Sequence, residues 1–209
     1  TITFDASLTG ATLALGGTEL LLDTDVDIQG LGAAALTIDA GDSSRLFRIR
    51  PGTSATISDL TLTRGYGDVG GAISISGVGA ELTLTDVAVT DSTAQFGGAI
   101  CVADGAHAML RGATDLGGNT ATGSPASMGG AIYAYGVDTV LDIESTVLIH
   151  DNHADWRGGG VALYYSAEGN FDLSVFGDNN TASQYDDLYV SPDSQWNDAA
   201  LALMFGEDV

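Results

Sequence analysis

Gly70-Gly71-Ala72-Ile73 is the stretch that decides the fold, because it recurs along the chain. It returns at 97–100 and 129–132, a fourth copy reads Gly-Gly-Gly-Val at 158–161, and a degenerate fifth reads Tyr-Asp-Asp-Leu at 185–188. The last residues of the copies, at 73, 100, 132, 161 and 188, are separated by 27, 32, 29 and 27 positions. A period of roughly 20–50 residues marks a repeat architecture. The spacing therefore predicts a solenoid of similar coils.

Short alternating runs of apolar residues accompany each copy and predict strands. In one coil the apolar pairs are Ile73/Ile75, Leu82/Leu84 and Val87/Val89. Phe171 and Leu173 are the equivalent of the second pair in a later coil. Residues at i and i+2 of a strand point to the same side. Each pair is therefore expected to place two apolar side chains inward, and each coil to contain three short strands.

These runs predict an all-β fold, a right-handed parallel β-helix with 27 to 32 residues per coil. Equivalent strands of successive coils would lie about 4.8 Å apart, in three parallel sheets around an apolar interior. Residues 1–54 are predicted to form lead-in coils and residues 55–190 the regular coils. Residues 191–209 would be a C-terminal cap or the start of a further coil, within the same single domain.

Asparagine recurs at one turn of the coil, a few residues before the repeated glycines. Asn119, Asn152 and Asn180 align there, with Ser92 as a variant and Gly65 in the earliest regular coil. Asn tolerates left-handed corners, and stacked Asn side chains can hydrogen-bond along a coil axis. We therefore expect a structural ladder of asparagines.

The chain is strongly acidic, with 28 aspartates and glutamates against 6 arginines and no lysine, for a net charge of −22. Such a surface repels nucleic acids and anionic membranes, so we expect neither a nucleic-acid partner nor membrane insertion. Cys101 is the only cysteine, which excludes an intrachain disulfide. The chain starts with strand-like alternation at Thr1-Ile2-Thr3-Phe4, as expected of a mature or excised piece of a longer protein.

With these motifs the chain resembles bacterial right-handed parallel β-helix repeat proteins of the polymorphic outer membrane protein type. In those proteins Gly-Gly-Ala-Ile and an earlier Asn recur once per coil, as they do here over roughly residues 55–190. The family's Phe in the strand beside the Asn is absent, and the residues there are Leu62, Val89, Leu116 and Ile149. The resemblance implies the pectin-lyase-like fold and secretion or display at the cell surface, often as an adhesin.

Enzymes that cleave glycans share this fold, and a glycoside hydrolase needs two carboxylates that flank the scissile bond. Asp186 and Asp187 are the only adjacent acidic pair in the regular coils, and neighbouring strand residues point to opposite faces. A lyase acting on uronates needs basic residues at its substrate, but lysine is absent and the arginines are scattered. We therefore expect a non-enzymatic protein, with a polysaccharide lyase or glycoside hydrolase as the alternative.

A polar cluster at 150–156 offers a weak candidate metal site, with an ordinary exposed turn as the alternative. The candidate ligands there and in the acidic pair are His150, His153, Asp155, Asp186 and Asp187. Imidazole and carboxylate groups are metal ligands if the turns bring them together. The acidic row at 23–27 lacks the glycine and distal Glu of an EF-hand loop. No cofactor is therefore predicted, and weak calcium binding stays an open alternative.

The outward row of the strand after Gly-Gly is rich in tyrosine in the C-terminal coils. The candidate contact residues are Tyr133, Tyr135, Tyr164, Tyr165 and Tyr189. Exposed tyrosines on a flat sheet can stack on sugar rings or anchor a protein partner. The alternative is a lateral packing surface, or cover by the C-terminal segment with Trp196 and Phe205.

These observations predict a secreted or surface-displayed β-helix that acts as an adhesive or structural module. Its partners would be glycans or a cell-surface protein, or other copies of the chain through a sheet face or a solenoid end. A passive spacer or self-assembling fibre subunit is a further alternative. A tyrosine face would favour binding or assembly, whereas a groove with converging carboxylates and an arginine would favour an enzyme.

Overall fold

The computed structural model describes residues 1–197, which form a parallel β-solenoid of about 7 turns. About 49% of the chain is strand and 3% is helical, so the prediction of an all-β fold is confirmed. Equivalent strands of successive turns pair in parallel. This stacking satisfies the backbone hydrogen-bonding groups along the solenoid axis, because each coil bonds to the coils before and after it.

The strands within residues 1–197 form four sheets, which we name A to D. Sheet A contains Ile2–Thr3, Val26–Gln29, Ser54–Ser58, Glu81–Thr85, His107–Arg111, Val140–Ile143, Glu168–Asn170 and Gln195–Asn197. Sheet B contains Ala11–Ala14, Leu36–Asp39, Thr61–Thr63, Ala88–Thr90, Asp115–Gly117 and Leu148–His150.

The other two sheets meet at the repeated glycines. Sheet C contains Leu20–Leu22, Phe47–Ile49, Ile73–Ser76, Ile100–Ala103, Ile132–Tyr135, Val161–Tyr164 and Leu188–Val190. Sheet D contains Tyr66–Val69, Thr93–Phe96, Thr120–Ala121, His153–Arg157 and Thr181–Gln184. The described part of the chain also contains two short 3₁₀ helices outside the sheets, Ala6–Leu8 and Leu173–Val175. A regular coil passes through the sheets in the order A, B, D and C.

Sheet D corrects the prediction of three sheets. Its strands occupy the segment between the Asn turn and the Gly-Gly corner, for which the sequence predicts a turn. Ala94, Ala121 and Ala154 are its buried residues, and none of its strands contains an i, i+2 pair of large aliphatic residues facing the interior. Alternation of large apolar residues therefore could not reveal it.

The apolar pairs predicted from the alternating runs line the solenoid interior. In sheet C, Ile73, Ile100 and Ile132 stack in register and are fully buried. Leu84 in sheet A and Val89 in sheet B belong to equivalent buried rows. Complete burial of an aliphatic side chain of this size stabilises the fold by about 1.5–3 kcal/mol. These rows are therefore the main source of stability.

One predicted pair is misplaced by two residues. The strand of sheet A in that coil is Glu168–Asn170, where Gly169 pairs with Leu141, so the inward positions are Gly169 and Phe171. Leu173 instead lies in a 3₁₀ helix and is 51% exposed. A glycine at an inward position hides the period from the sequence, because it has no side chain to mark the face.

The Asn ladder is present as predicted. The backbone N–H of Asn119 donates to Asn152 Oδ1 at 2.9 Å, and that of Asn152 donates to Asn180 Oδ1 at 3.1 Å. The Asn152 Nδ2 group also donates to the Leu116 carbonyl at 2.9 Å. Ser92 continues the ladder by donating its N–H to Asn119 Oδ1. All of these side chains are buried, so the ladder satisfies backbone groups inside the corner between sheets B and D.

The predicted cap at 191–209 falls largely outside the described residues. Within it, Gln195–Asn197 pairs with Glu168–Asn170 and so extends sheet A into a further turn. Trp196 packs against Phe171, with ring centroids 6.3 Å apart, and belongs to the interior. It therefore does not cover the tyrosines, and Phe205 lies outside the residues that the structure describes.

Candidate ligand-binding face

The five candidate tyrosines lie on the outward side of sheet C or directly beside it. One outward row across the strands is Arg48, Ser74, Cys101, Tyr133, Ala162 and Tyr189. The row two residues further along each strand contains Ser76, Ala103, Tyr135 and Tyr164. Tyr165 follows the second row directly. The period of the repeat therefore brings the tyrosines of three coils together.

The tyrosine rings form one continuous strip, which we call the tyrosine ladder. The Tyr135 ring centroid lies 6.0 Å from that of Tyr133, 6.2 Å from that of Tyr164 and 5.4 Å from that of Tyr165. Tyr189 extends the ladder, 6.5 Å from Tyr164. Aromatic pairs at such separations contribute about 0.5–1.5 kcal/mol each beyond their burial. The rings are therefore held in place by one another.

Two of the five tyrosines are buried beneath the face and are not exposed on it. Tyr133 and Tyr189 are each 7% exposed. Side chains from sheet D pack against this part of the ladder across the Gly-Gly corner, and the Phe96 ring lies 5.1 Å from that of Tyr133. The fourth sheet thus creates a second apolar cluster outside the solenoid interior. The tyrosines that remain accessible are Tyr135, Tyr164 and Tyr165.

Burial makes two groups of this face chemically inert. Desolvation raises the pKa of the Tyr133 hydroxyl above its ordinary value and raises the pKa of the Cys101 thiol to about 12. The thiolate, not the thiol, is the nucleophile, so Cys101 is a small filler in the row. The face offers hydroxyl and ring surfaces rather than a reactive centre.

Arg157 lies at the C-terminal end of the ladder and is not among the residues predicted from the sequence. Its guanidinium carbon lies 3.9 Å from the Trp156 ring centroid and 4.7 Å from that of Tyr189. Its Nη1 donates to the Tyr189 hydroxyl at 2.9 Å. Cation–π contacts of this kind orient both partners. The available signal was an arginine beside tryptophan at the strand that precedes the Gly-Gly corner.

A groove of about 450 Å³ opens on sheet C at the N-terminal end of the ladder. Its main polar and aromatic lining residues are Arg48, Arg50, Ser74, Ser76, Tyr133 and Tyr135. The small residues Cys101 and Ala103 separate the arginines from the tyrosines along the two rows. Asp104 is the one carboxylate among the lining residues, and it accepts a hydrogen bond from Ser76 Oγ at 3.1 Å.

Arginine is concentrated around this groove. Arg45 forms an ion pair with Glu19 and donates from Nε to the Gly70 carbonyl at 2.8 Å. Arg48 lies 3.4 Å from the other oxygen of Glu19, and its side chain is 58% exposed. Arg50 forms no salt bridge within residues 1–197. Arg45 and Arg48 therefore share the carboxylate of Glu19, and Arg50 has no ion-pair partner in the described chain.

With Arg157, four of the 6 arginines lie on or beside the outward side of sheet C. The other two, Arg64 and Arg111, pair with acids elsewhere on the solenoid. In a molecule of net charge −22, this face is the place where positive charge accumulates. Three of the four, Arg45, Arg48 and Arg50, are close in the sequence, and the stacking of the coils places Arg157 beside the same sheet several coils later.

The structure does not gather the five candidate metal ligands into one site. His150 lies between two carboxylates, with Nε2 2.9 Å from Asp115 Oδ1 and Nδ1 2.5 Å from Asp151 Oδ2. His153 hydrogen-bonds through Nδ1 to Thr181 Oγ1 at 2.9 Å. Their rings belong to different sheets and face different partners, because a corner separates the two residues.

The candidate carboxylates are also engaged separately. Asp155 accepts from Thr122 Oγ1 at 2.8 Å, a bond that lowers its pKa, and lies 3.4 Å from His153. Asp186 accepts from the Ala182 N–H, and Asp187 from Asn180 Nδ2. Within the described chain, no group of three or more His, Cys, Asp or Glu side chains is arranged to hold a metal ion.

The acidic row at 23–27 stays on the exposed surface of the first coils. Asp25 Oδ1 accepts from the Ser54 N–H at 2.9 Å, and Asp27 Oδ2 from Thr1 Oγ1 at 3.0 Å. These two carboxylates therefore support neighbouring turns of the chain, as acceptors for groups within the fold.

No protein-family model matches the chain, and neither a curated protein nor a solved structure matches it. Over residues 1–197 there is no helix long and apolar enough to cross a membrane. The parallel β-solenoid and the geometry of its sheet C face are therefore the basis for a functional proposal.

Proposed function

We propose that this solenoid is a non-enzymatic adhesive module, secreted or displayed at a bacterial cell surface, which binds its partner through the tyrosine ladder. We further propose that it is related to the polymorphic outer membrane protein type of pectin-lyase-like β-helix. The observation that carries the proposal is the continuous strip of stacked tyrosines on one outer sheet face, next to a groove.

The chemistry of the ladder suits a glycan. Tyr135, Tyr164 and Tyr165 present ring faces together with hydroxyl groups, and sugars offer C–H faces and hydroxyls in return. Tyr165 is 53% exposed and lies at the open end of the stack. Because the rings are fixed on a paired sheet, little conformational entropy is lost when a ligand binds.

The enzyme alternative has less support. A hydrolase would need two converging carboxylates, whereas Asp186 and Asp187 bond to different partners in their own turn. The groove contains a single carboxylate, that of Asp104. This environment lacks the pair of carboxylates that hydrolysis of a glycosidic bond requires.

A glycan array tests the proposal, with the intact protein applied in the presence and absence of calcium. We expect binding in both conditions, because the ladder needs no metal. Tyr135→Ala and Tyr164→Ala should each weaken binding by about tenfold, the usual effect of losing a central aromatic contact. Tyr66→Ala is the matched control, because Tyr66 is an exposed tyrosine on sheet D outside the groove.

The fibre-subunit alternative is decided by the same samples. Absence of glycan binding in both conditions, together with concentration-dependent self-association by light scattering, would contradict the adhesive function. Loss of self-association in Tyr135→Ala would then assign the tyrosine ladder to assembly instead.

A further inference from the structure

We infer that the groove at the N-terminal end of the tyrosine ladder binds an acidic oligosaccharide, with its carboxylate or sulfate group held by Arg48 and Arg50. The sugar rings would lie toward Tyr135. This inference rests on the proposed glycan-binding function and names the ligand class and the residues that select it.

The strand register sets the dimensions of the site. Arg48 and Tyr133 stand in the same outward row, three strands apart, with Ser74 and Cys101 between them. At about 4.8 Å per strand the two ends are separated by about 14 Å, a length that a short oligosaccharide covers. The small side chains between them leave the depression open to a chain of rings.

Charge selects an anionic ligand at this end of the site. Arg48 is more than half exposed, and Arg50 is an exposed residue that forms no salt bridge within residues 1–197. A guanidinium group donates two parallel hydrogen bonds to a carboxylate or sulfate. The rest of the molecule, with its net charge of −22, repels anions. An acidic ligand is therefore directed to the groove.

Hydroxyl chemistry favours a sugar over an acidic peptide. Ser74 and Ser76 place hydroxyl groups in the groove, and Asp104 can accept hydrogen bonds from sugar hydroxyls. The strands beneath the groove are already paired on both sides, so a peptide cannot join sheet C as an additional strand.

Calorimetric titration of the intact protein, with a chelator present, tests the inference. The probes are an alginate oligosaccharide for carboxylates, dextran sulfate for sulfates, neutral dextran, and poly-L-glutamate for acidic peptides. We expect at least one acidic glycan to bind more tightly than neutral dextran and poly-L-glutamate. Arg48→Gln and Arg50→Gln should each weaken that binding about tenfold, the effect of one charge-assisted hydrogen bond.

Arg111→Gln is the matched control, because Arg111 is a half-exposed arginine on sheet A and its loss changes the net charge equally. Its binding should equal that of the unmodified chain, and thermal unfolding should show that all three variants fold. Equal weakening by the three variants would overturn the site, since only net charge would then matter. Poly-L-glutamate binding as tightly as the acidic glycans would overturn the ligand class.

The outcomes also separate this inference from the function on which it rests. One outcome is that neutral glycans bind with an affinity that falls in Tyr135→Ala and is unchanged in Arg48→Gln and Arg50→Gln. That result would refute the acidic ligand and leave the adhesive function standing. If no glycan binds in titration or on the array, both are refuted.

Discussion

Gly98, the second glycine of a repeated corner, has no room for a side chain. A Cβ atom there would lie 2.2 Å from the Gly130 carbonyl oxygen and 2.6 Å from the Thr120 amide nitrogen. Both neighbours are backbone atoms of the next coil, so neither can rotate away. Its partner Gly97 is required for a different reason, its φ of +65°.

Gly98→Ala should lower the free energy of unfolding by about 3 kcal/mol or more, because the coils must separate to admit the methyl group. Gly16→Ala is the control, since a Cβ on Gly16 would meet nothing within 4 Å. That variant should stay within about 0.5 kcal/mol of the unmodified chain. Chemical denaturation measures both, and equal stabilities would show that the corner is not close-packed.

The surroundings of His150 favour its protonated form. The hydrogen bond to Asp151 raises its pKa most, and Asp115 adds to the effect against partial desolvation. A histidine with a raised pKa in the folded state binds its proton more tightly there than in the unfolded chain. Its stabilising effect is complete below the unfolded value of about 6.5 and is lost as the pH rises through the folded value.

The free energy of unfolding should therefore fall more steeply with rising pH in the unmodified chain than in His150→Gln. Chemical denaturation from about pH 6 to about pH 8.5 covers the titration. Subtracting the free energy of unfolding of His150→Gln from that of the unmodified chain removes the contribution of the titratable groups that both proteins contain. This difference should be largest at the acidic end of the range. A difference that is constant across this range would contradict the assignment.

At the scale of elements, the Asn ladder joins successive coils through the corner between sheets B and D. Asn152 is fully buried, and it accepts from Asn119 above and donates to Leu116 and Asn180 around it. Removal of its amide leaves buried partners without hydrogen bonds. An unsatisfied buried group costs about 1–3 kcal/mol.

Asn152→Ala should therefore destabilise the fold by about 3 kcal/mol. Asn152→Ser should restore part of that loss, because Ser92 occupies the equivalent place in an earlier coil and accepts and donates there. Asn197→Ala, which alters an exposed amide on sheet A, serves as the control. Thermal unfolding that ranks Asn152→Ala with the control would disprove a structural role for the ladder.

Elements differ in how far the sequence revealed them. Rows with large apolar residues at i and i+2, such as Leu82 and Leu84, were found because the side-chain period of a strand is two. Sheet D was not predicted, because its buried inward residues are alanines, which do not form a pattern of large apolar side chains. The pair Phe171 and Leu173 was predicted wrongly for the same reason. The true inward position is Gly169, and the strand period is visible in a sequence only where a side chain marks the inward face.

At the scale of the whole molecule, the solenoid makes a face out of residues that are far apart in the chain. Arg48 and Tyr133 are separated by three coils, and sheet C places them in one row. Each coil adds only a few polar or aromatic groups. Their repetition at one position yields a groove and an aromatic ladder on an otherwise acidic body.

The sequence by itself determined the solenoid, its coil period, the Asn ladder and the outward direction of the tyrosines. These features follow from the local periodicity of the sequence, which can be recognised without knowing which residues of other strands or coils pack against them. Only the tertiary structure decided that Tyr133 and Tyr189 are covered by sheet D, that His150 and His153 diverge, and that Arg48 and Arg50 line a groove. The first two depend on how two sheets meet at a corner, and the third depends on which side chains of successive coils stack on one face of sheet C. Local periodicity specifies neither.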